Sequence, residues 1–106
     1  MADSSRLDAL RRMLESRPDD ARLRFGLALE YLKQEQWEDA VRELRRYLDT
    51  TDDEGNAWGR LGSALDALGR TSEAADAFRS GIEAARRHGH PTMAEEFEAT
   101  LAEMGP

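Results

Sequence analysis

Cysteine is absent from the chain, which excludes a disulfide framework, a thiolate metal site and a cysteine nucleophile. Lysine is nearly absent: Lys33 is the only one, and the other side-chain cations are arginines apart from two histidines. Proline occurs three times, so long stretches carry no imposed break. No apolar run approaches the roughly 20 residues that a membrane span requires, and the start, Met1 to Ser5, has neither the basic nor the apolar region of a secretory leader. A cytoplasmic location without membrane association is the expectation. Convincing alternation of apolar and polar residues is also missing, so no strand is predicted. Without a strand there is no strand–glycine-loop–helix cradle for phosphates. Basic charge is short, 15 Lys and Arg against 22 Asp and Glu for a net charge of -7. Nucleic-acid binding rests on neutralising phosphates with cations, so nucleic acid is not an expected partner.

What remains is a chain of 106 residues, enough for one compact domain with a real core. Apolar residues recur at three- and four-residue spacing throughout, which predicts an all-α protein of about six helices. The first helix is expected from Ser5 to Arg17, with Ser5 and Asp8 as a capping box, Leu7, Leu10, Met13 and Leu14 as one stripe, and Pro18 as its stop. Asp19 and Asp20 supply capping and favourable charge for a helix to Lys33. Gln34-Glu35-Gln36 is a polar turn before a helix from Trp37 to Asp49. Thr51 and Glu54 form a capping pair for the next helix, which Gly69 ends. A helix from Ser72 to Arg87 follows. Gly89-His90-Pro91 breaks it, and Thr92 with Glu95 opens a last helix to Met104.

The run Trp58-x-x-Leu61-Gly62-x-x-Leu65, then Ala74-x-x-x-Phe78, is matched thirty-four residues earlier by Arg24, Leu27, Ala28, Tyr31, Ala40 and Leu44. Residue class at fixed spacing is what repeats. The pattern resembles the tetratricopeptide repeat (TPR) family, whose unit has a Trp-x-x-Leu-Gly-x-x-Tyr segment, then Ala-x-x-x-Phe. The resemblance implies a right-handed superhelical array of antiparallel helix pairs: a half-repeat helix at 5–17, one repeat at 21–54, a second at 55–88 and a capping helix at 92–104. Ala28, Ala40, Gly62 and Ala74 then stand where paired helices cross closely. Arg24 replaces the usual Trp, Glu35 the turn glycine, and Asp52 and Arg86 stand where a closing proline is common. The strict period also places Glu95 and Glu96 in a core, where two carboxylates are costly. The apolar stripe Met93, Phe97, Leu101 and Met104 fits instead if two residues are inserted before the last helix, which keeps Glu95, Glu96, Glu98 and Glu103 in water.

The resemblance implies a non-catalytic binding scaffold, with partners on the concave face formed by the first helix of each repeat. The candidate residues are Arg22, Phe25, Leu29, Leu32 and Lys33 from the first repeat, and Asn56, Gly59, Arg60, Ser63 and Asp66 from the second. Phe25, Leu29 and Leu32 form a second apolar stripe beside Leu23, Leu27 and Tyr31, a pattern that demands cover on two sides. Three readings stay open: a strip for an amphipathic helix or apolar peptide, cover by the N-terminal helix, or a homodimer seam. The lysine–asparagine clamp by which some members hold a C-terminal carboxylate is absent, so a protein or peptide with apolar anchors and some basic character is the expected partner. No cofactor is expected. His88-x-His90 is the only histidine cluster; metal binding is weighed there against the commoner helix-terminal role. The carboxylate pairs lie at helix starts and solvated faces, Trp37 and Trp58 suit inter-helix packing, and no enzyme is expected.

Overall fold

The computed structural model describes residues 2–105, with side-chain surroundings given from Ser5 to Gly105. Those residues form six helices: α1 (Ala2–Ser16), α2 (Ala21–Lys33), α3 (Trp37–Thr50), α4 (Asn56–Ala67), α5 (Thr71–Arg87) and α6 (Pro91–Met104). No strand occurs among them. Close packing divides the chain into two units, Met1–Thr51 and Asp52–Pro106. The first holds α1, α2 and α3, with α2 packed on both others; the second holds α4, α5 and α6, with α5 packed on both others.

Three of the turns share one device. Gln36 N donates to Tyr31 O at 2.9 Å, Arg70 N to Leu65 O at 2.9 Å and His90 N to Ala85 O at 2.7 Å. These bonds close helix ends in the Schellman manner, which demands a left-handed residue just before the donor. Gly69 and Gly89 supply it at φ 76 and 77, whereas Glu35 supplies it at φ 57 as a non-glycine. Glu35 and Gly69 lie one period apart, so the glycine slot keeps its geometry where the glycine is lost.

Helix starts follow the sequence less closely. Asp20 caps α2 as expected, its Oδ1 accepting from Leu23 N at 3.2 Å. Ser5 is no cap, because α1 already begins at Ala2. Thr51 and Glu54 do not cap α4; Asp53 Oδ2 accepts from Gly55 N and Ala57 N, both at 2.9 Å. Thr92 and Glu95 do not cap α6 either, since His90 is the N-cap and Pro91 opens the helix. Proline fits there because the first helical N–H has no intrahelical acceptor to lose.

In the first unit Leu7, Leu10, Leu14, Leu27, Tyr31 and Ala40 form one buried cluster. A fully buried leucine in such a cluster is worth about 2 kcal/mol. Met13, expected on the same stripe, is instead 39% exposed. In the second unit Ile82, Ala85 and Ala94 are buried with Met93, Phe97 and Leu101 packed against them. The expected register break is present: α5 extends 17 residues against 14 for α3, and Glu95, Glu96, Glu98 and Glu103 are exposed. Ala28, Ala40 and Ala74 are fully buried. A Cβ on Gly62 would lie 2.8 Å from the Phe78 ring, so this glycine is what lets the ring seat against α4.

Left-handed backbone costs a non-glycine L-residue about 1–2 kcal/mol. Glu35→Gly is therefore expected to stabilise the protein by about 1 kcal/mol. Gln34→Gly, one residue earlier at φ -90, is expected to lower stability. Thermal unfolding followed by circular dichroism checks both.

Candidate functional site

The expected binding residues divide between the units. On α2, Arg22 and Lys33 are exposed and Phe25 and Leu29 are half-buried. Phe25 stacks against Tyr47 of α3, ring centroids 4.9 Å apart and tilted by 36°. Tyr47 was no part of the expected surface, yet it widens the Phe25 strip onto a second helix. Leu32 behaves differently: it packs against the buried cluster that contains Leu7, Leu10 and Leu14. Leu32 is thus set apart from Phe25 and Leu29. Lys33 Nζ lies 3.9 Å from Glu30 Oε1, and Arg6 Nε lies 3.3 Å from Glu30 Oε2. Glu30 is a buried carboxylate between two cations.

On α4, Asn56, Arg60, Ser63 and Asp66 form an exposed polar stripe. Arg60 Nε donates to Asn56 Oδ1 at 3.2 Å, one helical turn away. Gly59 does not belong to that open face. It is buried, and the Phe97 ring of α6 passes 2.5 Å from where its Cβ would stand. The sequence placed Phe97 on the second repeat; which α4 residue the ring covers depends on the helix crossing and was not legible.

Arg24 explains its own departure from the repeat pattern. Its Nη1 reaches Glu43 Oε1 at 2.6 Å and its Nη2 donates to Pro18 O at 3.0 Å. Arg42 Nε donates to Glu43 Oε2 at 3.0 Å. Glu43 is 4% exposed, and a carboxylate so placed requires both pairing and hydrogen bonds. A charged clasp between α2 and α3 replaces the apolar contact of a tryptophan. The only sequence signal was a glutamate nineteen residues after the arginine, too remote for a helix-periodicity argument. A cavity of about 510 Å³ opens nearby, lined by Pro18, Asp19, Ala21, Arg24, Arg46, Asp49 and Thr50. Its charges are mixed, and the Arg24 guanidinium is already engaged.

The two histidines face carboxylates. His90 Nε2 is 2.8 Å from Glu54 Oε1. His88 Nε2 comes within 3.1 Å of Asp52 Oδ2 without hydrogen-bond geometry. Arg87 Nη2 donates to Asp52 Oδ1 at 2.7 Å. These bridges tie the segment before α4 to the α5–α6 junction. The Arg87 hydrogen bond, aided by His88, holds Asp52 below the usual carboxylate range. His90 does the same for Glu54. Among the described residues no three His, Asp or Glu side chains are grouped to hold a metal ion.

Consecutive helices joined by tight turns, with small residues buried at matching positions, define an all-α helical-repeat protein. The tetratricopeptide repeat family model matches residues 1–85. TPR repeat-containing protein PA0015 of Pseudomonas aeruginosa is 31% identical over 98 residues, covering 92% of this chain and 93% of that protein. The solution structure of protein BPP2914 from Bordetella parapertussis superposes with a TM-score of 0.79 at 32% identity, covering 92% of this chain and 85% of that one. The crystal structure of a tetratricopeptide repeat domain protein from Salinibacter ruber gives 0.71 at 28% identity, covering 81% and 96%. The chain belongs to the tetratricopeptide repeat family. No helix among the described residues is long and apolar enough to cross a membrane.

Because Asp52 and Glu54 are held below their ordinary values, their bridges stabilise the fold at neutral pH. That stabilisation is lost as pH falls through those lowered values. Both groups are exposed, so the effect is small. The difference in melting temperature between the wild type and Asp52→Asn/Glu54→Gln is expected to be present at pH 6 and to shrink as pH falls through the lowered values.

Proposed function

We propose that this protein is a non-catalytic recognition module or scaffold that binds a helix or peptide of a partner protein. The observation that carries the reading is the Phe25–Tyr47 stack beside Leu29, left half-buried and flanked by exposed Arg22 and Lys33. Two aromatic rings on neighbouring helices, with a leucine one turn from Phe25, offer anchoring area at low side-chain entropy cost, and tyrosine is among the side chains that dominate binding energy at interfaces. An amphipathic segment docking its apolar face there follows the helix-in-groove mode. The net charge of -7 favours a partner with some basic character through long-range attraction.

Self-assembly is the alternative: a homodimer joined through α1 and the Phe25 strip. It is favoured by the exposure of Met13, a large apolar side chain facing solvent on α1.

Affinity capture from the source lysate with wild type and Leu29→Glu tests the first reading. Loss of a captured protein, with affinity down about tenfold or more and the chain's solution mass unchanged, supports recognition. Identical capture by both chains overturns the strip. A stable dimer that Phe25→Asp breaks favours self-assembly instead.

A further inference from the structure

We infer that α1 and α6 are complementary ends, so that the exposed face of α6 in one copy docks on the exposed face of α1 in the next. The contact is head-to-tail and does not use the α2 strip.

Two turns of the repeat connect α5 to α1. Ala77, Phe78, Gly81, Ala84 and Ala85 of α5 are all buried. The neighbours of this face come from both flanking helices. A Cβ on Gly81 would meet Phe97 of α6 at 2.9 Å and Trp58 Cβ of α4 at 3.1 Å. Two periods earlier the same slots are Ala9, Leu10, Met13, Ser16 and Arg17. Only Leu10 is buried among them. Ala9, Met13, Ser16 and Arg17, with Arg12, line an open groove of about 440 Å³ along α1. The face that seats other helices on α5 is thus open on α1, with a methionine at its centre and two arginines beside it.

The face of α6 turned away from α5 has the matching chemistry. Glu95, Ala99, Ala102 and Glu103 follow one another at i, i+4, i+7 and i+8 and are all exposed, as is Glu96. Two alanines leave a shallow gap between carboxylates, the counterpart of a methionine between arginines. Glu98 is already bridged to Arg86 at 2.9 Å, and Arg17 has one long ion pair, 3.8 Å to Asp20. No ion pair engages Arg12, Glu95, Glu96 or Glu103 among the described residues. Charge sets the partner choice: α6, with four glutamates and no cation, repels α6, whereas the Arg12 and Arg17 edge of the α1 groove attracts it. Such a contact is heterologous, so it propagates or closes into a ring, where an isologous dimer stops at two. One helix laid on another buries less than the roughly 1,600 Å² of a standard interface, which places the affinity in the micromolar range, at about 10–100 µM.

The test is a charge exchange read by sedimentation and light scattering between about 10 and 500 µM, with circular dichroism confirming the helical fold of each variant. Wild type is expected to grow in mass with concentration and to lose the association as salt is raised. Arg12→Glu/Arg17→Glu and Glu95→Arg/Glu103→Arg are each expected to associate about tenfold more weakly than wild type. Mixing the two variants restores association, because each then offers the other an opposite charge. Leu29→Glu leaves the association unchanged. A wild type that stays monomeric across the range overturns the proposal. So does an assembly that the α6 substitutions leave intact, or one that mixing fails to restore.

Discussion

Both units depend on how closely one helix lets its neighbour approach. In the second unit the limit is set at Gly62, where the Phe78 ring occupies the space a Cβ would need. Gly59 and Gly81 play the same part for Phe97. In the first unit Ala28, one period before Gly62, is fully buried, as is Ala40, one period before Ala74. Small residues at a crossing let helix axes approach to the near end of the roughly 8–10 Å range, and large neighbours then fill the flanks with many dispersion contacts. The aromatic rings therefore act as wedges whose position is fixed by what is missing beneath them.

This constraint was legible because it is periodic. The small residues at 28, 40, 62 and 74 could be read from spacing, as could Leu27, Tyr31, Leu61 and Leu65 around them. The displaced register of α6 was also legible, because the alternative required burying Glu95 and Glu96. Helix starts were less so. Asp20 caps α2, but Asp53 took the place expected for Thr51, since a cap is decided by local backbone angles more than by residue type. Met13 lies off the stripe assigned to it: Leu7, Leu10 and Leu14 already fill the side that meets α2.

The binding surface was read only in part, for a physical reason. Periodicity says that a stripe exists; it does not say which neighbour covers it. Phe25, Leu29 and Leu32 looked alike in the sequence. Leu32 joins the buried cluster of the first unit, Phe25 finds Tyr47, and Gly59 is capped by Phe97. The Arg24–Glu43 clasp was invisible for the same reason, because pairing between helices depends on their crossing. Without Arg24 the buried Glu43 would keep Arg42 as its one cation, and a buried carboxylate needs such pairing.

A double-mutant cycle at Gly62 and Phe78 tests the close-approach account most directly. Alanine is a better helix former than glycine by about 1 kcal/mol, so Gly62→Ala should stabilise α4 if space were available. The account predicts that Gly62→Ala destabilises the wild-type chain in urea unfolding. In the Phe78→Leu background, where the ring is gone, the same change should be neutral or stabilising, with a coupling of about 1–2 kcal/mol. Equal stabilisation by Gly62→Ala in both backgrounds would contradict it.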